Sequence, residues 1–189
     1  MTKSTILRWC GIAALSLFCL GLAPAQDDDT QSDAQPKKEK KIPKGLKPVA
    51  KTIAEMDTFN AKPNLKAKYY IYLISASWCG PCQALMPKIV EAYPDMKKKG
   101  VEILLISADN SLDAAQKYAK SHDCQFPAVW QGDPKVKSLP GLTGGPGIPW
   151  AVFVDAKGKQ IVACVASNGS TGVLKWEDVL FGKKKPKKK

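Results

Sequence analysis

Histidine is scarce in this sequence, and the motifs that hold a metal ion or a haem are absent. His122 is the only histidine, and near the end of a predicted helix it is expected to be a surface residue. A zinc site could be drawn only from Cys79, Cys82, His122 and Cys124, without a second CxxC or an HxxxH pair. Gln83 follows Cys82 where haem attachment requires histidine. We therefore predict no metal and no dissociable cofactor.

The sequence also lacks the patterns of three other functional classes. Residues 141–147, GLTGGPG, lack the Gly-Lys-Ser/Thr ending of a phosphate-binding loop and are expected to form turns. No basic stretch is interleaved with aromatic residues, so nucleic-acid binding is not predicted. No threonine stands three residues before a cysteine, as the motif of a thiol peroxidase requires.

Long apolar runs are also few, and the longest lies near the N-terminus. Residues 1–25 are typical of a secretory signal peptide: Lys3 and Arg8 precede an apolar stretch, and Ala23-Pro24-Ala25 forms a small-x-small cleavage site. The apolar stretch is shorter than the about 20 residues of a comfortable membrane span. We predict a soluble exported protein, periplasmic or extracellular; an uncleaved anchor is the alternative.

Positive charge is concentrated at the ends of the chain, which has a formal net charge of +12. Residues 26–48 are polar and charged and predict a disordered linker. Residues 183–189, KKKPKKK, form a Lys-rich tail, whereas residues 49–182 hold fifteen lysines against twelve acidic residues. The tail either makes weak contact with an anionic surface or only aids solubility.

Residues 49–182 predict one α/β domain with a mixed sheet. Strands are predicted at 68–75, 101–107, 150–154 and 159–166, and helices from the cysteine motif to about Ala92, from Ser111 to about His122, and over 173–181. Tyr93-Pro94 is expected to interrupt the first helix. Leu112, Ala115, Tyr118 and Ala119 are expected on one face of the second. Residues 126–148 are rich in Pro and Gly and predict a connecting passage.

Two cysteines, Cys79 and Cys82, enclose Gly80 and Pro81 between a predicted buried strand and a helix. Cys79 falls at the helix N-terminus, where unpaired N–H groups and the helix dipole stabilise a thiolate. Cys82 follows one turn later and is placed to resolve a mixed disulfide formed by Cys79. A disulfide staple and half of a metal site are the alternatives, but neither requires this placement.

The motif WCGPC, with Pro87 five residues after Cys82, resembles the active site of thioredoxin. Residues 147–162, GIPWAVFVDAKGKQIV, resemble the later segment of that family. The resemblance covers residues 65–182 and is closest to the exported TlpA-like and ResA-like branch. It implies a thioredoxin-like fold, a mixed central sheet flanked by helices.

The same resemblance implies the surroundings of the disulfide. Pro149 is expected to be cis and opposite Cys79, with the backbone of Ile148 open to substrate. Trp78, Gly80, Pro81, Ile148 and Pro149 are the implied substrate-binding residues, with Trp78 shielding the site.

Three leucines depart from the family pattern. Leu73 stands where thioredoxin has a buried aspartate, Leu105 where it has the partner lysine, and Leu85 where the TlpA-like branch has a glutamate. Trp150 replaces the threonine most often found after the cis-proline. These changes leave disulfide exchange in place but remove the family's buried proton acceptors.

Two further cysteines, Cys124 and Cys164, remain after the predicted cleavage. They are interpreted as buried core thiols, as a structural disulfide, or as a relay pair that reloads Cys79–Cys82.

Together these observations predict an exported thiol–disulfide oxidoreductase. Its expected substrates are exported proteins with disulfides or thiols, and its electrons come from an unidentified upstream redox donor. The alternative is a non-catalytic binding module of the same fold in which the Cys79–Cys82 disulfide is structural.

Overall fold

The computed structural model describes residues 42–182. The predicted signal peptide (1–25), residues 26–41 of the predicted linker and the Lys-rich tail (183–189) lie outside the described residues. Within residues 42–182, no helix has the length and apolar character needed to cross a membrane.

The predicted succession of strand, helix, strand, helix, hairpin and helix is present, with one further helix and one further strand. The helices are α1 (Pro48–Glu55), α2 (Gly80–Lys98), α3 (Leu112–Ser121) and α4 (Trp176–Phe181). The strands are β1 (Tyr69–Ser75), β2 (Val101–Ser107), β3 (Ala128–Trp130), β4 (Trp150–Asp155) and β5 (Gln160–Val165). Short 3₁₀ helices occupy Pro134–Ser138 and Val173–Lys175.

The five strands form one mixed sheet in the order β3-β2-β1-β4-β5. β1 is parallel to β2 and β2 to β3, whereas β4 is antiparallel to both β1 and β5. Successive side chains of β1 point to opposite faces: Ile71 and Leu73 enter the core cluster beneath α2, and Tyr70 and Tyr72 enter a second cluster with α1. Because both faces are covered, β1 and β2 are apolar almost throughout, which is what made them predictable.

Helix α1 was not predicted, and it covers the second face of the sheet. Val49, Ala50 and Ile53 are fully buried, and they pack in the same cluster as Tyr70 and Tyr72. The helix has eight residues, so its apolar stripe consists of little more than these three positions and gives a weak periodic signal.

The predicted end of α2 near Ala92 is wrong, because the helix continues through Pro94 to Lys98. A proline inside a helix removes one backbone hydrogen bond and usually kinks or ends it. Here Tyr93 and Met96 are almost fully buried and belong to the main core cluster. Their packing holds the last turns against the sheet.

Two smaller predictions also need correction. The passage 126–148 contains strand β3, which lies at the sheet edge and bridges to Phe59. Leu112 does not share the buried face of α3: its side chain is 45% exposed, whereas Ala115, Tyr118 and Ala119 are buried.

Candidate active site

Cys79 and Cys82 form a disulfide at the start of α2, just beyond the carboxyl end of β1. Their Cα atoms are 5.2 Å apart. The Cys82 N–H points at the Cys79 Sγ at 3.3 Å, so Cys79 is the N-cap of the helix. When the disulfide is reduced, this N–H and the helix dipole favour negative charge on Cys79. Cys79 is also the more exposed cysteine, at 6% against 1% for Cys82.

The two residues between the cysteines suit a turn that opens a helix. Pro81 lies in the first turn of α2, where its missing N–H breaks no helical hydrogen bond. Gly80 and Pro81 are both exposed, so a partner chain can approach this side of the disulfide closely.

The Ile148–Pro149 peptide bond is cis, and it lies against the disulfide as the family resemblance implies. The Cys79 Sγ is 3.7 Å from the Ile148 carbonyl oxygen. The half-buried Ile148 side chain packs on the cluster of Ala76, Cys79 and Cys82. Pro149 itself is buried, and its carbonyl accepts a 2.9 Å hydrogen bond from the Ala166 N–H.

Trp78, which the family resemblance implies to shield the site, has a largely exposed side chain. Its side chain is 63% exposed and is the most exposed of the large hydrophobic side chains in residues 42–182. Ala76, Ala108 and Ile148 instead pack around the two sulfurs. An exposed indole next to the disulfide offers contact area to a partner rather than cover to the sulfurs.

Trp150 shapes the loop that leads into the cis-proline. Its Nε1–H donates a 3.1 Å hydrogen bond to the Thr143 carbonyl. The indole lies so close to Gly145 that a Cβ there would approach its ring to 2.2 Å. The aromatic replacement of the family's threonine therefore folds residues 143–145 over this side chain.

Asp109 was not singled out from the sequence, yet it holds the segment before Cys79. The side chain is 1% exposed, and its Oδ1 accepts from the Ser77 N–H at 3.0 Å and from the Ser77 hydroxyl at 2.6 Å. Its Oδ2 accepts from the Ser107 hydroxyl at 2.6 Å, and its carbonyl from the Trp130 Nε1–H at 2.8 Å. β1 and β2 are parallel, so the segments after their carboxyl ends lie side by side. That rule could have identified Asp109.

The three leucines that replace the family's proton-accepting residues are all in the core. Leu73 and Leu105 are at most 1% exposed, and Leu85 is 7% exposed. All three belong to one apolar cluster, so no ionisable side chain occupies these positions.

Cys124 and Cys164 are free, buried thiols, so the disulfide alternative for this pair is not formed. Cys124 lies between α3 and β3, and Cys164 is in β5, at the opposite edge of the sheet. Five strands at about 4.8 Å spacing separate these edges by far more than the about 6 Å that a disulfide spans. Burial raises the pKa of the Cys124 thiol to about 12. Burial also raises the pKa of Cys164, and its Sγ lies 3.0 Å from the Thr171 carbonyl oxygen.

The metal alternative receives no geometric support in the part of the chain that the structure describes. Within residues 42–182, no group of three or more His, Cys, Asp or Glu side chains is arranged to hold a metal ion. The half-buried His122 stacks edge-on against Tyr118, with ring centroids 5.2 Å apart.

Comparison with known proteins gives consistent matches. A family model described as thioredoxin-like matches residues 66–160. The thiol-disulfide oxidoreductase ResA of Bacillus cereus is 34% identical over 98 residues, which cover 52% of this chain and 55% of that protein. The ResA of Geobacillus kaustophilus is 33% identical over 105 residues, 54% of each chain. The chain thus spans about half the length of these curated relatives. Among solved structures, thioredoxin from Wuchereria bancrofti is 26% identical with a TM-score of 0.48, covering 64% of this chain and 76% of that one.

Proposed function

The chain belongs to the thioredoxin-like family, and on that premise we propose that it is a thiol–disulfide oxidoreductase acting on disulfides of exported proteins. The observation that carries the proposal is the Cys79–Cys82 disulfide at the N-terminus of α2, 3.7 Å from the Ile148 carbonyl oxygen. ResA proteins, which are named for this activity, are similar to about half of the chain.

In the reducing direction, the Cys79 thiolate attacks one sulfur of a substrate disulfide. A mixed disulfide forms, and the other substrate sulfur leaves as a thiolate. Cys82 then loses its proton and attacks Cys79, which releases the reduced substrate and restores the Cys79–Cys82 bond. The protein has passed on two electrons, so an upstream dithiol donor must reduce it again. The opposite direction, oxidation of a substrate dithiol, uses the same steps in reverse.

The surroundings suggest how substrate is held. The backbone of Ile148 and Pro149 runs beside Cys79 and offers an extended substrate segment a place to pair. The exposed Trp78, Gly80 and Pro81 line the approach to the disulfide. Export to the periplasm or the extracellular space rests on the predicted signal peptide of residues 1–25, and contact of the Lys-rich tail with an anionic surface is part of the same proposal.

A non-catalytic binding module remains the second candidate, and one observation favours it. Leu73, Leu85 and Leu105 are apolar, buried side chains at the three positions where the family resemblance implies ionisable ones. Such a core deprives Cys82 of the proton acceptor that the family resemblance implies, so the disulfide could serve stability alone.

Trapping of mixed disulfides distinguishes the two candidates. In cells that export the protein, Cys82→Ser is expected to accumulate mixed disulfides with other exported proteins, because Cys79 attacks and nothing releases it. Cys79→Ser is the matched control, since it also leaves one thiol, and it is expected to trap almost nothing. Equal trapping by both variants contradicts the assigned roles. Absence of trapping together with absence of thiol exchange by the unmodified protein supports the binding module.

The reduction potential of the Cys79–Cys82 pair then shows whether the protein reduces or oxidises its substrates. A value near the about −270 mV of thioredoxin indicates a reductant, and one near the about −120 mV of DsbA indicates an oxidant.

A further inference from the structure

Four lysines gather at the end of the molecule that faces away from the disulfide. Helix α2 begins beside Cys79 and ends at Lys98, and its 19 residues span about 28 Å at 1.5 Å per residue. Lys97, Lys98 and Lys99 close this helix. Lys68 joins them, because it immediately precedes β1 and its N–H donates a 2.8 Å hydrogen bond to the Gly100 carbonyl.

These lysines line a surface depression of about 970 Å³ together with two carboxylates and an aromatic ring. We call it the lysine surface, formed by Lys68, Lys97, Lys98, Lys99, Gly100, Glu177, Asp178, Phe181 and Gly182. The Phe181 side chain is 50% exposed. One edge of its ring meets Tyr69 with the centroids 5.6 Å apart, so the ring is held in place while half of it faces solvent.

The lysine surface carries a small excess of positive charge: its four lysines against Glu177 and Asp178 give +2, and Asp95, which pairs with Lys98, lowers this to +1. Lys98 pairs with Asp95 and Lys99 with Glu177. Lys68 and Lys97 form no ion pair with another described residue, and the Lys97 ammonium lies 5.9 Å from the centre of the Tyr93 ring. In the sequence, Gly182 is followed by residues 183–189, six of which are lysines.

We propose that the lysine surface docks on an anionic lipid bilayer. Arginine is absent from residues 42–182, so this surface lacks the planar fork that binds one phosphate or carboxylate in a fixed geometry. Lysines are mobile point charges and suit the diffuse negative field of a headgroup layer. Phe181 favours a lipid bilayer over a soluble polyanion as the partner. An exposed aromatic ring among lysines gains binding free energy when it is buried at the headgroup boundary, and a soluble polyanion offers no such boundary.

Docking in this orientation places the disulfide on the side that faces away from the bilayer, towards soluble partners. The proposal concerns a surface remote from Cys79 and Cys82, so it stands or falls independently of the disulfide chemistry.

Co-sedimentation with vesicles tests the proposal on the protein purified from cells that express the full chain. Phosphatidylcholine vesicles with and without phosphatidylglycerol are compared, and the measured quantity is the increase in affinity caused by the anionic lipid. This difference removes any contribution of the apolar N-terminal stretch. In the triple variant Lys68→Gln/Lys97→Gln/Lys98→Gln, the increase in affinity caused by the anionic lipid is expected to be at least about tenfold smaller. The reason is that one lysine near an anionic surface raises the affinity about fivefold. Added salt should weaken the remaining binding further.

The matched control changes the same number of exposed lysines elsewhere. Lys117→Gln/Lys120→Gln/Lys137→Gln alters α3 and the 3₁₀ helix at Pro134–Ser138 and should leave the increase within about twofold of the unmodified protein. Phe181→Ser should weaken vesicle binding severalfold while leaving binding to soluble polyphosphate unchanged.

Any one of four results overturns the proposal. The first two are vesicle binding that does not depend on phosphatidylglycerol, and equal losses of vesicle affinity in the two triple variants. The third is complete loss of vesicle binding on deletion of residues 183–189 while the Lys68/Lys97/Lys98 variant has no effect, and the fourth is binding to polyphosphate that is as tight as binding to vesicles and unaffected by Phe181→Ser. If circular dichroism shows that the triple variant does not fold, the three single lysine variants are measured instead. Each is expected to reduce the increase in affinity caused by the anionic lipid about fivefold.

Discussion

Leu73 on β1 lies directly opposite Leu105 on β2 in the parallel pairing of the two strands. The family resemblance implies an aspartate and a lysine at these two positions, and the structure has an apolar pair buried in the core. The consequence concerns Cys82, which must lose a proton before it can release a mixed disulfide. With no carboxylate at position 73 or 85 to accept it, we expect that proton to leave to water or to the substrate.

We therefore expect the release step to depend steeply on pH. A free cysteine thiol has a pKa of about 8.5, so its thiolate fraction rises roughly fiftyfold between about pH 6.5 and 8.5. Burial of Cys82, which is 1% exposed, disfavours the thiolate and shifts the rise towards higher pH. The measurement is single-turnover release of a chromogenic thiol from its mixed disulfide with Cys79. A release rate that is flat across this range would show that another group takes the proton.

Cys124 and Cys164 should behave as inert thiols in the folded protein. Burial raises the pKa of both, so neither forms the reactive thiolate at neutral pH. Alkylation of the native, unreduced protein followed by peptide mass spectrometry should leave both unmodified. Alkylation after unfolding, still without a reductant, should modify both, whereas Cys79 and Cys82 stay protected by their disulfide. Protection of Cys124 and Cys164 in the unfolded, unreduced protein would restore the disulfide interpretation.

Glu102 predicts a pH dependence of stability. Its carboxylate is buried and accepts hydrogen bonds from the Tyr93 hydroxyl at 2.6 Å and from the N–H groups of Asn64 and Ile103. Burial outweighs these bonds and raises the pKa of Glu102 above its ordinary value of 4.5. The folded state therefore binds the proton more tightly than the unfolded state. The contribution of Glu102 to stability is complete below the unfolded pKa and is lost as pH rises through the folded pKa.

Glu102→Gln removes this titration and isolates its effect. The free energy of unfolding of the variant minus that of the unmodified protein should increase as pH rises from about 4 towards 8. Urea unfolding followed by tryptophan fluorescence at several pH values measures the difference. Glu91→Gln, on the exposed side of α2, is the control and should give a difference that hardly changes with pH. A Glu102→Gln difference that falls with pH would mean that the hydrogen bonds, not burial, dominate.

The central strands and the cysteine motif could be predicted from the sequence because one strong signal defined each. β1 and β2 are apolar almost throughout, with Glu102 the one charged residue among them, and the order Cys79-Gly80-Pro81-Cys82 after a strand is typical of a helix start. Helix α1 and strand β3 gave no comparable signal, since each is short and owes its conformation to contacts with the sheet. The continuation of α2 through Pro94 likewise depends on the burial of Tyr93 and Met96, which no local preference encodes.

Asp109, within the candidate site, likewise could not be singled out from local sequence preferences. A single aspartate after a strand is common in loops, and its importance arises only because β1 and β2 run parallel and bring Ser77 within hydrogen-bonding distance. Its two carboxylate oxygens have different hydrogen-bond partners. One accepts from the N–H and the hydroxyl of Ser77, and the other accepts from the Ser107 hydroxyl. Since Ser77 stands two residues before Cys79, we expect the position of the Cys79 sulfur relative to Ile148 to depend on this carboxylate.

Substitutions at Asp109 distinguish the effect of its hydrogen bonds, which hold Ser77, from the effect of its negative charge. Asp109→Asn keeps an oxygen for Ser77 and presents an amide to the Ser107 hydroxyl, so it removes the charge with most of the geometry intact. Asp109→Leu removes both and leaves the Ser77 N–H unpaired, at a cost of about 1–3 kcal/mol in the free energy of unfolding. If Asp109 acts by positioning, thiol exchange at Cys79 should fall about tenfold or more in Asp109→Leu and stay within about threefold in Asp109→Asn, since a misplaced reacting group costs up to 100-fold.

The pH profile of Cys79 alkylation in the reduced protein supplies the readout that a purely structural role would not move. A buried carboxylate near a thiolate raises the pKa of that thiol, so Asp109→Asn should shift the profile to lower pH if the charge is felt at Cys79. Ser77→Ala is the matched control: it removes the 2.6 Å hydroxyl bond but keeps the N–H bond and the carboxylate. It should therefore leave the profile in place while lowering the exchange rate slightly. Unchanged exchange rates and profiles in all three variants would show that the core around Ala76 and Ala108, and not Asp109, fixes the disulfide in position.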